Sequence, residues 1–148
     1  IDRDICFVVA GPIPEDSRQR DWGTATFLGE LSRKDIPGLL AECHLGISLM
    51  KPSGATRVAM PAKVFEYWGA GIPVLAAPQG ELLDFVRGRE IGLAFEQIDL
   101  EAMVEAIFSL KRNPDEWNRM SSRIRSMRDE LDRRVIAVNF AGRLESAF

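Results

Sequence analysis

The chain has 148 residues, 46% of them apolar, and a formal net charge of −3 at neutral pH. That length makes one domain the first expectation, and the apolar share is ample for a core. The mildly acidic balance gives no overall reason to expect nucleic acid or an anionic membrane as a partner.

No stretch approaches the ~20 apolar residues needed to cross a bilayer, and no signal peptide opens the chain. Cys6 and Cys43 each lie in an apolar run, outside any Cys-x-x-Cys pair, and His44 is the sole histidine. Two buried thiols in a reducing, cytoplasmic setting are therefore expected, with neither a disulfide nor a zinc site. Ile1 to Asp4 lead straight into a strand without an initiator Met. That start reads as a piece of a longer polypeptide, with the first strand of the domain lying upstream.

In chain order, Ile5 to Ala10 is a β-branched apolar run that ends at Gly11-Pro12. Because it does not alternate, it predicts a strand covered on both faces. Thr24 to Leu28 predicts a second strand, stopped by Gly29. Ser32 is placed to cap a helix over Asp35 to Cys43, with Ile36, Leu39, Leu40 and Cys43 on one face. Leu45 to Met50 predicts a third strand, and Lys51 to Met60 a loop with a Ser53-Gly54 breaker. Pro61 opens a helix at its favoured first position, running to about Gly69. Gly71-Ile72-Pro73 turns into a fourth strand, Val74 to Ala77. A short helix over Glu81 to Val86 and a weak fifth strand over Gly92 to Phe95 follow.

The remainder reads as helical. Met103, Ala106, Ile107 and Leu110 form one apolar stripe. Asn113-Pro114 restarts the helix, and Trp117, Met120, Ile124, Met127 and Leu131 form the next stripe. Ile136, Phe140, Leu144 and Phe148 form a third. Alternating strands and helices predict an α/β fold: a Rossmann-like doubly wound parallel sheet of about five strands, with helices on both faces and C-terminal helices. Ligands of such sheets bind beyond the carboxyl ends of the strands, which directs attention to the loops after Ala10, Leu28 and Met50.

Met60 to Ala76, MPAKVFEYWGAGIPVLA, is the most informative segment. A helix that starts at Pro61 leaves the amides of Ala62, Lys63 and Val64 facing the cleft, and its dipole adds positive potential there. Lys63 puts a full positive charge in the same turn, which the helix itself disfavours, so an anion is expected nearby. Glu66, at i+3 from Lys63, suits a sugar diol, from which a carboxylate accepts two hydrogen bonds. The bland reading of the two charges is a surface ion pair. Gly69, Ala70 and Gly71 are expected to let the helix end pack closely on the sheet.

The run Pro61-Ala62-Lys63-Val64-Phe65-Glu66-Tyr67-Trp68-Gly69-Ala70-Gly71-Ile72-Pro73-Val74 resembles the P-x-K-x-x-E-Y-x-x-x-G-x-P-V signature of group 1 (family 4) glycosyltransferases. Phe7 to Gly11, Phe27-Leu28-Gly29, Ile36 to Leu40, Glu81 to Val86 and Gly92-Leu93 are similar to flanking parts of that family. The resemblance implies a two-domain GT-B enzyme, with residues 1–148 as a single domain making most of its C-terminal, donor-binding half. It implies transfer from a nucleoside diphosphate sugar, UDP- or GDP-linked in the first instance, with retention of configuration and without a bound metal or other cofactor. The acceptor and any base then belong to an N-terminal domain of the same polypeptide, and this chain alone is expected to show no transfer.

By the same resemblance, Glu66 corresponds to the glutamate that holds the ribose, the amides of Ala62 to Val64 touch the diphosphate, and Lys63 stabilises the leaving phosphate. Gly29, Glu30 and Leu31 contact the base, and Gly11 ends the first strand at the site. Two departures stand out. The family's second glutamate, eight positions before the ribose one, is Val58 here, which leaves Arg57 and Lys63 as the replacement contacts. The family's phosphate-binding Arg/Lys pair precedes Ile5.

The setting implied is bacterial polysaccharide or glycoconjugate biosynthesis, in the cytoplasm or peripherally at the inner membrane. Rivals are a GT-B nucleotide-sugar epimerase and a domain that binds nucleotide sugars without transferring them. A receiver domain is disfavoured, because the first strand ends in Ala10-Gly11-Pro12 instead of clustered aspartates. Lys111 to Arg134 holds eight basic and five acidic residues. A solvated helical face is the plain account, and a membrane-surface contact the sharper one. His44 is expected to cap or pack, and Trp22, Trp68 and Trp117 to lie in the core or at its edge.

Overall fold

The computed structural model of the chain describes residues 5–13, 21–132, 135 and 138. They fall into two compact units, Ile1–Ala41 and Glu42–Phe148, and all the described strand pairings are parallel. The α/β class expected from the alternation of strands and helices is what forms. Its five described strands divide into a sheet of two and a sheet of three.

In the first unit, β1 (Phe7–Ala10) pairs with β2 (Ala25–Gly29), with a bulge between Val9 and Ala10. Helix α1 covers Ile36–Ala41, two residues shorter at its C-terminus than the sequence suggests. Ser32 does not cap it directly: its hydroxyl donates to the Asp35 carboxylate at 2.7 Å. The expectation of a strand shielded on both faces fails for β1, whose Phe7, Val8 and Val9 are 40%, 40% and 41% exposed. Shielding a parallel strand takes helices over both faces, and the described residues of this unit supply one six-residue helix. Cys6 is likewise exposed rather than buried, and it is not bridged to Cys43.

The second unit is built around β3 (Gly46–Leu49), β4 (Val74–Ala77) and β5 (Gly92–Ala94), in that order, with β4 central and every residue of β4 buried. Helices cover both faces of this sheet. On one face Val74 and Ala76 meet α2 (Ala62–Gly69), α3 (Glu81–Arg89) and α5 (Pro114–Ser126) through Val64, Trp68, Leu82, Val86 and Ile124. On the other, Leu75 and Ala77 meet Met103 and Ile107 of α4 (Leu100–Arg112). The period-two alternation of β4 thus feeds two apolar layers, which is why its sequence is apolar throughout.

The C-terminal stripes fall as expected. Met103 and Leu110 of α4 are buried, as are Met120 and Ile124 of α5 and Met127 just after it. Asp99 caps α4 by accepting from the Ala102 amide, and Asn113 caps α5 by accepting from that of Glu116, with Pro114 at the first helical position. A final short helix, α6, spans Arg128–Leu131. The third expected stripe (Ile136, Phe140, Leu144, Phe148) lies outside the described residues, as do Ile1 to Asp4. Trp68 is a core residue, edge-on to Phe65 at 5.5 Å. Trp117 donates to the His44 carbonyl at 2.6 Å and lies against the His44 ring, which gives that histidine its packing role.

Helix α2 approaches the sheet where β3 has no side chain. A Cβ built on Gly46 would lie 2.2 Å from the Tyr67 ring. This close approach is at Gly46, not at the Gly69-Ala70-Gly71 end of the helix as expected, since Gly69 has open space around it. Gly71 serves the turn instead. With φ +78 it closes α2 by donating to the Trp68 carbonyl while Ile72 donates to that of Tyr67, the Schellman arrangement. Gly46→Ala in the full-length protein is expected to lose about 1–3 kcal/mol of stability by overpacking. Gly69→Ala on the exposed side of the same helix should be neutral or gain up to ~1 kcal/mol. Urea denaturation of both checks this, and equal losses would refute the packing account.

Candidate functional site

The expected site residues fall into two groups, one in each unit. In the first, Gly11 and Gly29 meet at the carboxyl ends of β1 and β2, where the Gly11 amide donates to the Gly29 carbonyl at 2.7 Å. Both have positive φ, +135 and +69, a conformation that side-chain-bearing residues rarely adopt. Glu30 is exposed and Leu31 half-buried just beyond them.

The second group gathers around the start of α2. Gly46, at the beginning of β3, lies against Tyr67, near the end of α2. Because α2 is the crossover that returns the chain from the end of β3 to the start of the parallel β4, helix and strand run in opposite senses, and the amino end of α2 lies toward the carboxyl end of β3. This is the edge at which parallel α/β sheets bind ligands.

Pro61 is not the first helical residue but the cap before it, with extended backbone (φ −60, ψ 136). The one-residue shift matters for the amides. Val64 donates to the Pro61 carbonyl at 3.0 Å and has its side chain fully buried, so it is not available as the substrate contact the sequence suggests. Only Ala62 and Lys63 remain with first-turn amides that lack an acceptor within the helix.

Burial face and site face then separate around α2. Val64 and Trp68, four apart, point into the core. Ala62, Lys63, Glu66 and Gly69 lie on the exposed side. No ion pair joins Lys63 to Glu66, so the bland reading of these two charges does not hold; the ion pairs among the described residues are made by other groups. Partial burial of Lys63 pulls its ammonium below the ordinary lysine range, because desolvation disfavours the charged form. Tyr67 moves the opposite way: burial, then the charges of Glu66 and Cys43, push its phenol above the usual range.

The loop from Lys51 to Met60 is more ordered than its composition suggests. Residues Ala55–Val58 form a 3-10 turn, braced where Ser53 and Thr56 exchange hydrogen bonds. The Ser53 amide donates to Thr56 Oγ1 at 2.9 Å, and the Thr56 amide to Ser53 Oγ at 3.2 Å. The turn presents Arg57 and Val58 to solvent, Val58 at 67% exposure. The Ser-x-x-Thr spacing was readable as a turn brace; the ordering it produces was not. Also invisible in the sequence was Ser121, a buried α5 residue whose hydroxyl donates to the Gly71 carbonyl at 2.8 Å and ties down the far end of α2.

Two arginines of the basic C-terminal stretch are answered by acids outside it: Arg112 pairs with Glu105 and Arg123 with Glu90. That favours the solvated-face account of it. Among the described residues no helix is long and apolar enough to cross a membrane, and no group of three His, Cys, Asp or Glu side chains is placed to hold a metal ion.

Comparison with known proteins adds to this geometry. A family model described as glycosyl transferase-like matches residues 2–137. The chitobiosyldiphosphodolichol beta-mannosyltransferase of Candida glabrata is 31% identical over 123 residues, which make up 78% of this chain and 26% of that protein. The chain thus spans about a quarter of the length of this curated relative. With a parallel α/β unit and a family match over nearly all of its length, the chain belongs to the glycosyl transferase-like family.

Proposed function

We propose that this chain binds the donor of a GT-B glycosyltransferase, a nucleoside diphosphate sugar, with its N-terminal partner domain supplying the acceptor. One observation carries the reading. The first turn of α2 offers two free amides and an ammonium group that has no carboxylate partner, and Glu66 stands one turn further along the exposed side. A helix start of this kind favours an anion, and the partly desolvated Lys63 gains from meeting one.

In the transfer step the bond between the anomeric carbon and the diphosphate oxygen breaks as the acceptor oxygen bonds to that carbon. The acceptor proton leaves to a base on the partner domain. Negative charge grows on the leaving diphosphate, where fixed amides and Lys63 meet it without reorganising. Glu66 positions the nucleotide through the ribose diol and takes no part in bond breaking. Arg57 and Val58 are proposed to form the sugar side of the site.

Two stereochemical outcomes are open to this machinery. Retention follows from the resemblance of the Pro61–Val74 signature. The name of the fungal relative specifies a β-mannoside product, and an α-linked donor reaches a β-product only by inversion. Stabilisation of the leaving group by Lys63 serves both, so the anomeric coupling in the product's proton NMR spectrum distinguishes them. A GT-B epimerase would release a free or altered nucleotide sugar with no new glycoside.

In a thermal-shift screen of the full-length protein against UDP-, GDP-, ADP- and TDP-sugars, at least one class should stabilise the wild type. Glu66→Ala should bind that donor about 10–100-fold more weakly, the loss expected for hydrogen bonds to a charged group. Undiminished binding by the variant would remove Glu66 from the site. Lys63 makes a second prediction, through pH. Its pKa is lowered, so as pH rises the ammonium is lost earlier than for a free lysine, and donor affinity should begin to fall below the pH at which an ordinary lysine titrates. Lys63→Arg, which stays charged, should flatten that alkaline decline. Identical pH profiles would show that the Lys63 charge does not meet the donor.

A further inference from the structure

We propose that Gly80 is a positioning residue for the sugar end of the donor, acting by seating the turn that carries Arg57 and Val58. This deepens the donor-binding reading and rests on it.

The Ser53–Thr56 hydrogen bonds fix the internal shape of the 3-10 turn. They do not fix where the turn sits. Its seat is the backbone at Gly80, the cap residue before α3. A Cβ at Gly80 would come within 2.7 Å of the Thr56 carbonyl oxygen and 3.1 Å of both the Cα and the carbonyl oxygen of Arg57. These neighbours are all main-chain atoms, so no side chain can rotate out of the way. Any residue other than glycine at position 80 must lift the turn, and with it Arg57 and Val58, off the amino end of α3.

Gly54, in the same loop, provides the contrast. It has helical backbone (φ −58, ψ −36), and a Cβ there would meet nothing within 4 Å. Glycine is required at position 80 by close backbone approach, and at position 54 it is not. Both lie near the carboxyl end of the β3–β4 pair: the turn follows β3, and Gly80 lies three residues beyond the end of β4 at Ala77. The seat therefore sets the height of Arg57 and Val58 above the strand ends, on the same edge as the first turn of α2.

Two measurements on the full-length protein test this. Trypsin cleavage after Arg57 reports the seating of the turn. Calorimetric affinities for whichever of GDP-mannose, UDP-glucose, ADP-glucose and TDP-glucose stabilises the wild type, each against its free diphosphate, separate the sugar end from the nucleotide end. Gly80→Ala should speed cleavage at Arg57 and weaken the sugar nucleotide that the wild type binds by about tenfold, one hydrogen bond's worth. Affinity for the matching free diphosphate should change less than about twofold. Gly54→Ala should match the wild type in both assays.

Thr56→Val loosens the turn so that it no longer presents a fixed backbone face to Gly80; it should give the same selective loss and carries the test if Gly80→Ala does not fold. Equal weakening of sugar nucleotide and free diphosphate would overturn the inference, because a general loss of structure would act that way. So would faster cleavage with unchanged affinity, or no change in either assay. If the wild type binds none of the UDP-, GDP-, ADP- and TDP-sugars of the thermal-shift screen, the donor reading itself falls and takes this inference with it, a failure visible before any variant is made.

Discussion

The approach of α2 to β3 at Gly46 governs the geometry of the second unit. The Tyr67 ring occupies the space that a side chain at position 46 would fill, and this draws the helix close enough to bury Val64 and Trp68 beneath it. Close packing of this kind fixes both the direction of the helix and its rotation about its axis. Once Val64 and Trp68 are committed to the core, Ala62, Lys63 and Glu66 have only the outward side left. The Schellman closure at Gly71 and the Ser121 hydroxyl hold the opposite end. Side chains that never meet a ligand thus aim the charged turn.

The electrostatics of α2 run against its stability as a helix. A lysine in the first turn opposes the positive end of the dipole, its charge is partly desolvated, and no carboxylate answers it. Arginines on α3, α4 and α5, by contrast, pair with Glu96, Glu105 and Glu90. Lys63 stands where the fold also leaves two helix amides without acceptors. Local rules are commonly broken at functional sites and compensated elsewhere, and here the compensation is the buried face of α2.

The loop between β3 and α2 is positioned by groups other than the two side chains proposed to meet the sugar. Arg57 and Val58 are held by a Ser53–Thr56 brace and by contact with the backbone at Gly80. At position 58, where the resembling family has a second glutamate, an aliphatic side chain stands 67% exposed. The brace and the Gly80 backbone nonetheless support that position, in keeping with the proposal that the loop serves a sugar.

By itself the sequence determined the class of the fold, the order of its elements and the segment on which the proposed site rests. Apolar runs without alternation fixed the strands of the second unit, and periodic stripes such as Met120–Ile124–Met127 fixed the helices, because both patterns follow from local backbone geometry. The Pro61–Val74 signature located Lys63 and Glu66 for the same reason: their spacing along one helix is a local property. What only the tertiary structure decided was which groups are consumed in holding the fold. Val64 gives its amide to Pro61, Gly46 rather than Gly69 admits the helix, Lys63 and Glu66 stay apart, and β1 remains exposed despite its apolar run. Each of these depends on a contact between segments distant in sequence, or on a one-residue shift in where a helix begins, and neither quantity is encoded in spacing along the chain.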